Sequence, residues 1–137
     1  MPTVTRILET ALHVEDVQRA LAFYQSLFGF EVLGSDDRFA ALSVAGRQVL
    51  LLFRRGGATV PLQLPGGVIP PHDSHGQSHL AFAIAVADLD AWRQRLAQHQ
   101  IAVESTVTWP RGGTSLYFRD PDGHLVELAT PGIWPIW

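Results

Sequence analysis

Cysteine is absent from the 137-residue sequence. This absence excludes disulfide bonds, iron–sulfur clusters, thiolate zinc sites and cysteine nucleophiles, so any metal has to be bound by histidine and carboxylate side chains. Long hydrophobic runs are also missing, since none approaches the roughly 18 residues that cross a bilayer, and residues 1–10 lack the basic and apolar regions of a secretory signal. We therefore expect a soluble cytoplasmic protein without a membrane partner.

Basic residues are scarce as well. Lys and Arg together number 10 against 13 Asp and Glu, for a formal net charge of -3. A protein that binds the phosphate backbone of a nucleic acid needs a basic surface, so we expect no nucleic-acid partner. The 6 histidines remain as candidates for metal binding and proton transfer.

Two amphipathic helices are predicted from apolar residues at helical spacing. The first runs from Asp16, a predicted N-cap, to Phe28, and Gly29 is its predicted stop. The second begins at Asp88, another residue type that caps helices, and ends near His99. Short apolar or alternating segments bounded by Gly, Asp or Pro predict eight strands, at 6–14, 30–35, 39–44, 48–53, 79–86, 103–106, 115–119 and 125–130.

The two halves of the chain repeat the same order of one strand, one helix and three strands. Residues 9–14 match residues 79–84 at an offset of 70, and residues 46–50 match residues 123–127 at an offset of 77. We predict an α+β fold in which two βαβββ modules pair into one curved, cup-like mixed sheet. The single domain, 1–137, would comprise module one at about 4–54, a Gly- and Pro-rich linker or lid at 55–78, module two at about 79–130, and a tail at 131–137.

The repeat predicts a metal site. If a pseudo-twofold axis relates the modules, Glu9 faces His79, and Leu50 faces Glu127. Glu9, His79 and Glu127 then form a set of one histidine and two carboxylates with open coordination positions, which suits Mn²⁺, Fe²⁺, Mg²⁺ or Zn²⁺ acting as a Lewis acid. The alternatives are a core role for His79 and an ion pair of Glu9 with Arg6, whereas a half-buried Glu127 is costly unless it is paired or bound to metal.

Two stretches carry a resemblance to a known family. They are Val14-Glu-Asp-Val17 followed by Ala22-Phe-Tyr-Gln-Ser-Leu-Phe-Gly-Phe30, and Leu116-Tyr-Phe-Arg-Asp-Pro-Asp-Gly-His-Leu-Val-Glu127. With them the chain resembles the vicinal oxygen chelate superfamily of glyoxalases, extradiol dioxygenases, fosfomycin-resistance enzymes and bleomycin-binding proteins. The resemblance implies a cup that holds a divalent metal such as Fe, Mn, Zn or Ni, with His79 and Glu127 at ligand positions. It also implies a homodimer, which in some members completes each cup across subunits.

The chain departs from the family pattern at several positions. Glu9 stands where module one usually has His, and Leu50 stands where glyoxalase I enzymes have Glu. The dioxygenase signature is visible from Tyr117 to Glu127, but its upstream His is missing and Trp109 lies in that neighbourhood. The resemblance therefore implies the scaffold and leaves the reaction open between dioxygenase and lyase or isomerase chemistry.

Further residues have two interpretations each. His13 shares a strand face with Glu9, so it is a catalytic acid or base beside Glu127, a substitute ligand, or a histidine at an exposed strand end. Arg111 binds an anionic substrate or belongs to a plain hairpin turn. Tyr117 and Trp109 contact substrate or are ordinary half-buried strand residues. His124 is expected to be exposed.

Two functions follow from these residues. The first is a metal-dependent enzyme that acts on a small oxygen-chelating substrate. The alternative is a metal-free protein that sequesters a drug-like molecule in an aromatic groove formed by Trp109, Tyr117, Trp134 and Trp137. The apolar tail at 133–137 predicts a homodimer in either case.

Overall fold

The computed structural model describes residues 1–137 and contains two compact units, residues 1–76 (unit 1) and residues 77–137 (unit 2). Unit 1 contains Glu9–Val14 (β1), Val17–Phe28 (α1), Glu31–Ser35 (β2), Phe39–Val44 (β3), Gln48–Arg54 (β4), Leu62–Leu64 (β5) and Gly67–Ile69 (β6). Unit 2 contains His79–Ala83 (β7), a 3₁₀ turn at Val86–Asp88, Leu89–Gln98 (α2), Ser105–Thr108 (β8), Thr114–Arg119 (β9) and Leu125–Ala129 (β10). The predicted order of strand, helix and three strands is confirmed in both units.

Each unit forms one four-stranded mixed sheet. The strand orders are β1-β4-β3-β2 and β7-β10-β9-β8, so the two sheets have the same topology. In each sheet the first and last strands pair in parallel, and the other pairs are antiparallel. The helix supplies the crossover that a parallel pair requires. The predicted α+β class is confirmed.

The side chains of each strand alternate between two faces of the sheet. In unit 1, Leu12, Leu42 and Leu52 are fully buried on one face together with Tyr24 and Leu27 of α1. In unit 2, one face buries apolar side chains completely, among them Phe118, Val126 and Leu128. The opposite face of each sheet, called here its open face, carries the polar residues that matter for function.

The ends of α1 follow the prediction, and α2 starts after Asp88 as predicted but without a side-chain cap. The Asp16 carboxylate accepts a hydrogen bond of 3.0 Å from the Arg19 amide, and Gly29 ends α1 in the left-handed conformation at φ 71°. Asp88 makes no capping hydrogen bond with its side chain, because it already has helical dihedral angles at the end of the 3₁₀ turn. The prediction of Asp88 as a side-chain cap is wrong.

The register of the parallel pairs corrects one predicted equivalence. Ala11 pairs with Leu51 in unit 1, and Ala81 pairs with Glu127 in unit 2. Leu51, rather than Leu50, is therefore the counterpart of Glu127. Leu50 is 2% exposed on the helix side of its sheet, because a shift of one residue moves a strand side chain to the other face.

The segment at 55–76 folds with unit 1 and contains the hairpin β5–β6, which the sequence patterns did not predict. The Arg55 guanidinium donates hydrogen bonds to the Gly76 carbonyl at 2.7 Å and to the Glu15 carboxylate at 3.2 Å. The His72 amide donates to the Ala58 carbonyl at 2.9 Å. No helix of the structure is both long and apolar enough to span a membrane.

Two glycines of unit 2 cross at close range. The Gly113 amide donates to the Gly132 carbonyl at 3.1 Å. A Cβ atom on Gly113 would lie 2.7 Å from the carbonyl carbon of Gly132 and 2.9 Å from the Pro131 oxygen, closer than van der Waals contact allows. This crossing holds the start of the tail against the turn between β8 and β9.

We expect Gly113→Ala to lower the free energy of unfolding by about 1–3 kcal/mol, because the added methyl group meets backbone that has little room to move. Gly34→Ala is the matched control, since a Cβ there has nothing within 4 Å. Urea denaturation of both variants measures the difference. Equal stability of the two variants would show that the crossing does not constrain the tail.

Candidate metal and substrate site

The open face of unit 2 brings together four polar side chains from three strands. His79 is the first residue of β7, Ser115 and Tyr117 are two residues apart on β9, and Glu127 is central in β10. The register pairs Tyr117 directly with Glu127. Because residues two apart on a strand share a face, the alternation of β7, β9 and β10 aims these side chains at one place.

His79 and Glu127, two of the three predicted metal ligands, are in direct contact. The Nε2 atom of His79 lies 3.2 Å from Oε1 of Glu127. The other ring nitrogen, Nδ1, lies 2.9 Å from the Leu125 carbonyl oxygen. A carbonyl oxygen only accepts hydrogen bonds, so Nδ1 carries a proton and donates it.

The proton on Nδ1 of His79 means that the contact between Nε2 and Glu127 requires a positive charge. A neutral His79 with its proton on Nδ1 presents a lone pair at Nε2, and an ionised Glu127 presents lone pairs at Oε1. Two acceptors at 3.2 Å repel each other unless a positive charge lies with them. That charge is either a proton shared by the pair or a metal cation bound to both atoms.

Glu127 is held by a chain of hydrogen bonds from its other oxygen. The Ser115 hydroxyl donates to Oε2 of Glu127 at 2.5 Å, and the Trp109 indole N–H donates to the Ser115 oxygen at 2.9 Å. Ser115 is fully buried and Glu127 is 7% exposed. A buried carboxylate needs such partners. These hydrogen bonds engage Oε2, and Oε1 is the oxygen that faces His79.

Tyr117 lies beside the same carboxylate. Burial raises the pKa of the Tyr117 phenol above its usual value, a hydrogen bond with Ser115 opposes this shift, and the negative charge of Glu127 adds to it. The phenol therefore stays protonated at neutral pH and interacts with both Glu127 and Ser115. The rings of Tyr117 and His79 lie 6.1 Å apart, measured between their centroids.

A buried turn anchors the start of β7. The Asp120 carboxylate accepts hydrogen bonds from the amides of Asp122 and His124, both at 2.9 Å. Nδ1 of His124 accepts a hydrogen bond of 2.8 Å from the amide of Ser78, the residue before His79. His124 is 1% exposed, so the expectation that it is exposed is wrong. Its ring supports the backbone that presents His79.

A cavity of about 420 Å³ opens beside His79 and Glu127. Its polar lining consists of these two residues and Tyr117. Its apolar lining includes Trp109 and the tail residues Ile133, Trp134, Ile136 and Trp137. The cavity therefore combines one polar corner with mostly aromatic and aliphatic walls.

The other predicted site residues lie elsewhere. Arg111 is exposed and does not line this cavity. Glu9 is exposed on the open face of unit 1 and makes no ion pair with Arg6, whose guanidinium donates to the Arg47 carbonyl. His13 is also in unit 1, where its Nε2 lies 3.0 Å from Nδ1 of His72. No group of three or more His, Asp or Glu side chains in the structure is placed to hold a metal ion.

Sequence reasoning missed Ser115 and His124 as parts of this site, whereas it grouped the tail residues Trp134 and Trp137 with Trp109 and Tyr117 in an aromatic groove. A signal for Ser115 was present, because it lies two residues before Tyr117 and therefore shares its face. His124 offered no such signal, since its partner Ser78 is 46 residues away in the sequence.

The repeated βαβββ topology and the contact between the exposed His79 and the buried Glu127 define a class of α+β proteins with a candidate cation site on an open sheet face. The chain belongs to the Glyoxalase/Bleomycin resistance protein/Dioxygenase superfamily, whose family model matches residues 6–128. This match confirms the family resemblance inferred from the sequence motifs.

Named relatives of this chain catalyse different reactions. A lactoylglutathione lyase from Agrobacterium tumefaciens has a crystal structure that is 34% identical, covers 98% of this chain and 100% of its own, and gives a TM-score of 0.88. A metallothiol transferase FosB from Lysinibacillus sphaericus is 28% identical over 93% of this chain and 84% of its own length. A catechol-2,3-dioxygenase from Bacillus subtilis is 32% identical over 90% of this chain, which spans only 41% of that protein. The glyoxalase-like fold is confirmed, and the reaction type stays open.

We expect Glu127→Gln to lower the pKa of Tyr117, because a neutral amide no longer opposes formation of the tyrosinate anion. Ultraviolet absorbance of tyrosinate during a pH titration measures this shift, and Tyr117→Phe identifies the step that belongs to Tyr117. Glu104→Gln is the control, since the Glu104 carboxylate pairs with Arg119 at 2.8 Å. A Tyr117 titration unchanged by Glu127→Gln would contradict the contact.

Proposed function

We propose that the chain is a divalent-metal-dependent enzyme of this superfamily and acts on a small substrate that offers two oxygen atoms. The contact between Nε2 of His79 and Oε1 of Glu127 carries the proposal. Both atoms present lone pairs to the same place, and a divalent cation satisfies both at once. Family membership supports this interpretation over a purely structural ion pair.

The residues present fit a metal with an imidazole nitrogen and a carboxylate oxygen as donors. The Nδ1–H bond to the Leu125 carbonyl orients His79 as a ligand, and Ser115 orients Glu127. When bound, a metal such as Fe, Mn, Zn or Ni supplies Lewis-acid polarisation of a substrate oxygen. The Tyr117 phenol donates a hydrogen bond to substrate, and Glu127 is placed to accept or return a proton.

Glu9 remains the proposed third ligand, on the basis of the repeat that matches it with His79. His13 remains a proposed acid or base, and its Nε2 lies 3.0 Å from Nδ1 of His72. Arg111 remains a proposed contact for the far end of a substrate, outside the cavity described above.

The cavity walls indicate the kind of substrate. Trp109, Trp134 and Trp137 offer aromatic surface, and no Lys or Arg lines the cavity. A substrate with an apolar or aromatic body and an uncharged oxygen pair matches this lining. The same aromatic walls favour the second candidate function, metal-free sequestration of an apolar molecule.

We expect the parent protein to bind about one Mn²⁺ per chain, and His79→Gln or Glu127→Gln to weaken that binding by about tenfold or more, because each removes a donor. Paramagnetic resonance of free Mn²⁺ during a titration measures the binding. His99→Gln and Glu31→Gln are the matched controls, since both side chains lie outside the cavity.

Two outcomes would overturn the proposal. If both His79→Gln and Glu127→Gln bind Mn²⁺ as well as the parent does, the metal binds elsewhere. Absence of Mn²⁺, Zn²⁺ and Ni²⁺ binding by the parent, combined with quenching of tryptophan fluorescence by apolar ligands in excess chelator, would establish the sequestering protein instead.

We also propose that the chain forms a homodimer. Trp134, Ile136 and Trp137 are 73%, 81% and 69% exposed, and exposed apolar patches mark contact surfaces. We expect sedimentation velocity at micromolar concentration to show a dimer. A monomer under these conditions would contradict the proposal.

A further inference from the structure

A second cavity, of about 400 Å³, lies wholly within unit 1. Its floor is formed by Phe39, Phe53 and His72, and its opposite wall is formed by the hairpin β5–β6 with the prolines that flank it. The volume falls within the range of about 300–1,000 Å³ that is usual for small-molecule sites. Neither the family match nor the function proposed above assigns a role to this cavity.

The hairpin presents one apolar side to the cavity. Leu62 pairs with Ile69, and Gln63 pairs with Val68. Because strand side chains alternate, Leu62, Leu64 and Ile69 share a face and line the cavity, whereas Gln63 and Val68 do not line it. The Gly- and Pro-rich segment thus builds a pocket wall.

The floor of the cavity is a cluster of rings. The centroids of Phe53 and Phe39 are 5.8 Å apart at an interplanar angle of 34°, and those of Phe53 and His72 are 4.5 Å apart at 75°. The bond between His13 and His72 fixes the His72 ring. A planar aromatic ligand finds ring faces and edges here at stacking distances.

Charge at the rim selects the polar end of the ligand. Oδ1 of Asp36 accepts hydrogen bonds from the amides of Arg38 at 2.8 Å and of Phe39 at 2.9 Å, so this carboxylate shapes the turn before β3. Arg38 is among the residues that line the cavity, and its guanidinium has no ion-pair partner in the protein. Planar guanidinium groups bind carboxylates through two parallel hydrogen bonds.

We propose that unit 1 binds a small aromatic carboxylate in this cavity. The aromatic ring packs between the Phe39–Phe53–His72 floor and the hairpin, and the carboxylate binds Arg38. Since both the ring cluster and the cation lie within unit 1, this site requires neither the metal nor the His79–Glu127 pair. Its failure and the failure of the proposed enzymatic function are therefore separate results.

The probe is 2-naphthoate, added to ¹⁵N-labelled full-length protein without metal and followed by amide chemical shifts. We expect saturable shifts at residues 53–58 and at Ile69 and His72, with a Kd of about 1 mM or lower. All four tryptophans, at 92, 109, 134 and 137, are in unit 2, so their fluorescence reports binding to unit 2 separately. Shifts confined to residues 77–137, or no saturable shift, would overturn the proposal.

Arg38→Met tests the charge. We expect this variant to bind 2-naphthoate about tenfold more weakly, because it loses a charge-assisted hydrogen bond. Arg47→Met, another exposed arginine of unit 1 that does not line the cavity, is the control and should bind like the parent. The neutral analogue 2-naphthamide should bind parent and Arg38→Met equally. Equal binding of 2-naphthoate by both arginine variants would overturn the role of Arg38.

Ile69→Ser and Val68→Ser form a second matched pair, since these neighbours are 44% and 51% exposed on opposite sides of β6. We expect only Ile69→Ser to weaken 2-naphthoate binding. If the ligand does not bind and only Ile69→Ser changes the sedimentation coefficient, the surface is instead an interface between copies of this chain, and the proposal is wrong.

Discussion

The parallel pairing between the first and last strand of each four-stranded sheet determines which side chains share its open face. In unit 2 this register pairs His79 with Leu125 and Ala81 with Glu127, so the imidazole and the carboxylate are diagonal neighbours. The corresponding register in unit 1 pairs Glu9 with Val49 and Ala11 with Leu51. One backbone pattern therefore makes His79 and Glu127 diagonal neighbours in unit 2, whereas the corresponding positions of unit 1 hold Glu9 and Leu51.

The polar site depends on a buried carboxylate that receives hydrogen bonds from one side only. Ser115 satisfies Oε2 of Glu127, and the indole of Trp109 fixes the direction in which the Ser115 hydroxyl donates. The second oxygen has His79 as its neighbour, with the lone pair at Nε2 directed toward it. The protein thus brings an imidazole nitrogen and a carboxylate oxygen together. The positive charge that their lone pairs need comes from a proton or a cation. The proposed function uses these two preorganised lone pairs to bind a cation.

Much of this architecture was accessible from the sequence, because the repeat and the alternation of strand residues are local patterns. These patterns predict His79 and Glu127 as ligands of one metal site. Matching Gly46 with Gly123 assigns Leu50 to the position of Glu127. Leu51 follows Gly46 by five residues, whereas Glu127 follows Gly123 by four, so this alignment is one residue out of register. Strands of three residues, such as β5 and β6, are too short to show a period. The burial of His124 rests on a contact with Ser78 that is distant in sequence.

The crossing of Gly113 and Gly132 marks the place in unit 2 where the sheet ends and the tail begins. The strands that carry His79, Ser115 and Glu127 all precede Gly132. The tail follows this glycine, and its side chains form a wall of the cavity from a firmly attached starting point. The tail therefore shapes one side of the cavity separately from the strands that hold the polar side chains.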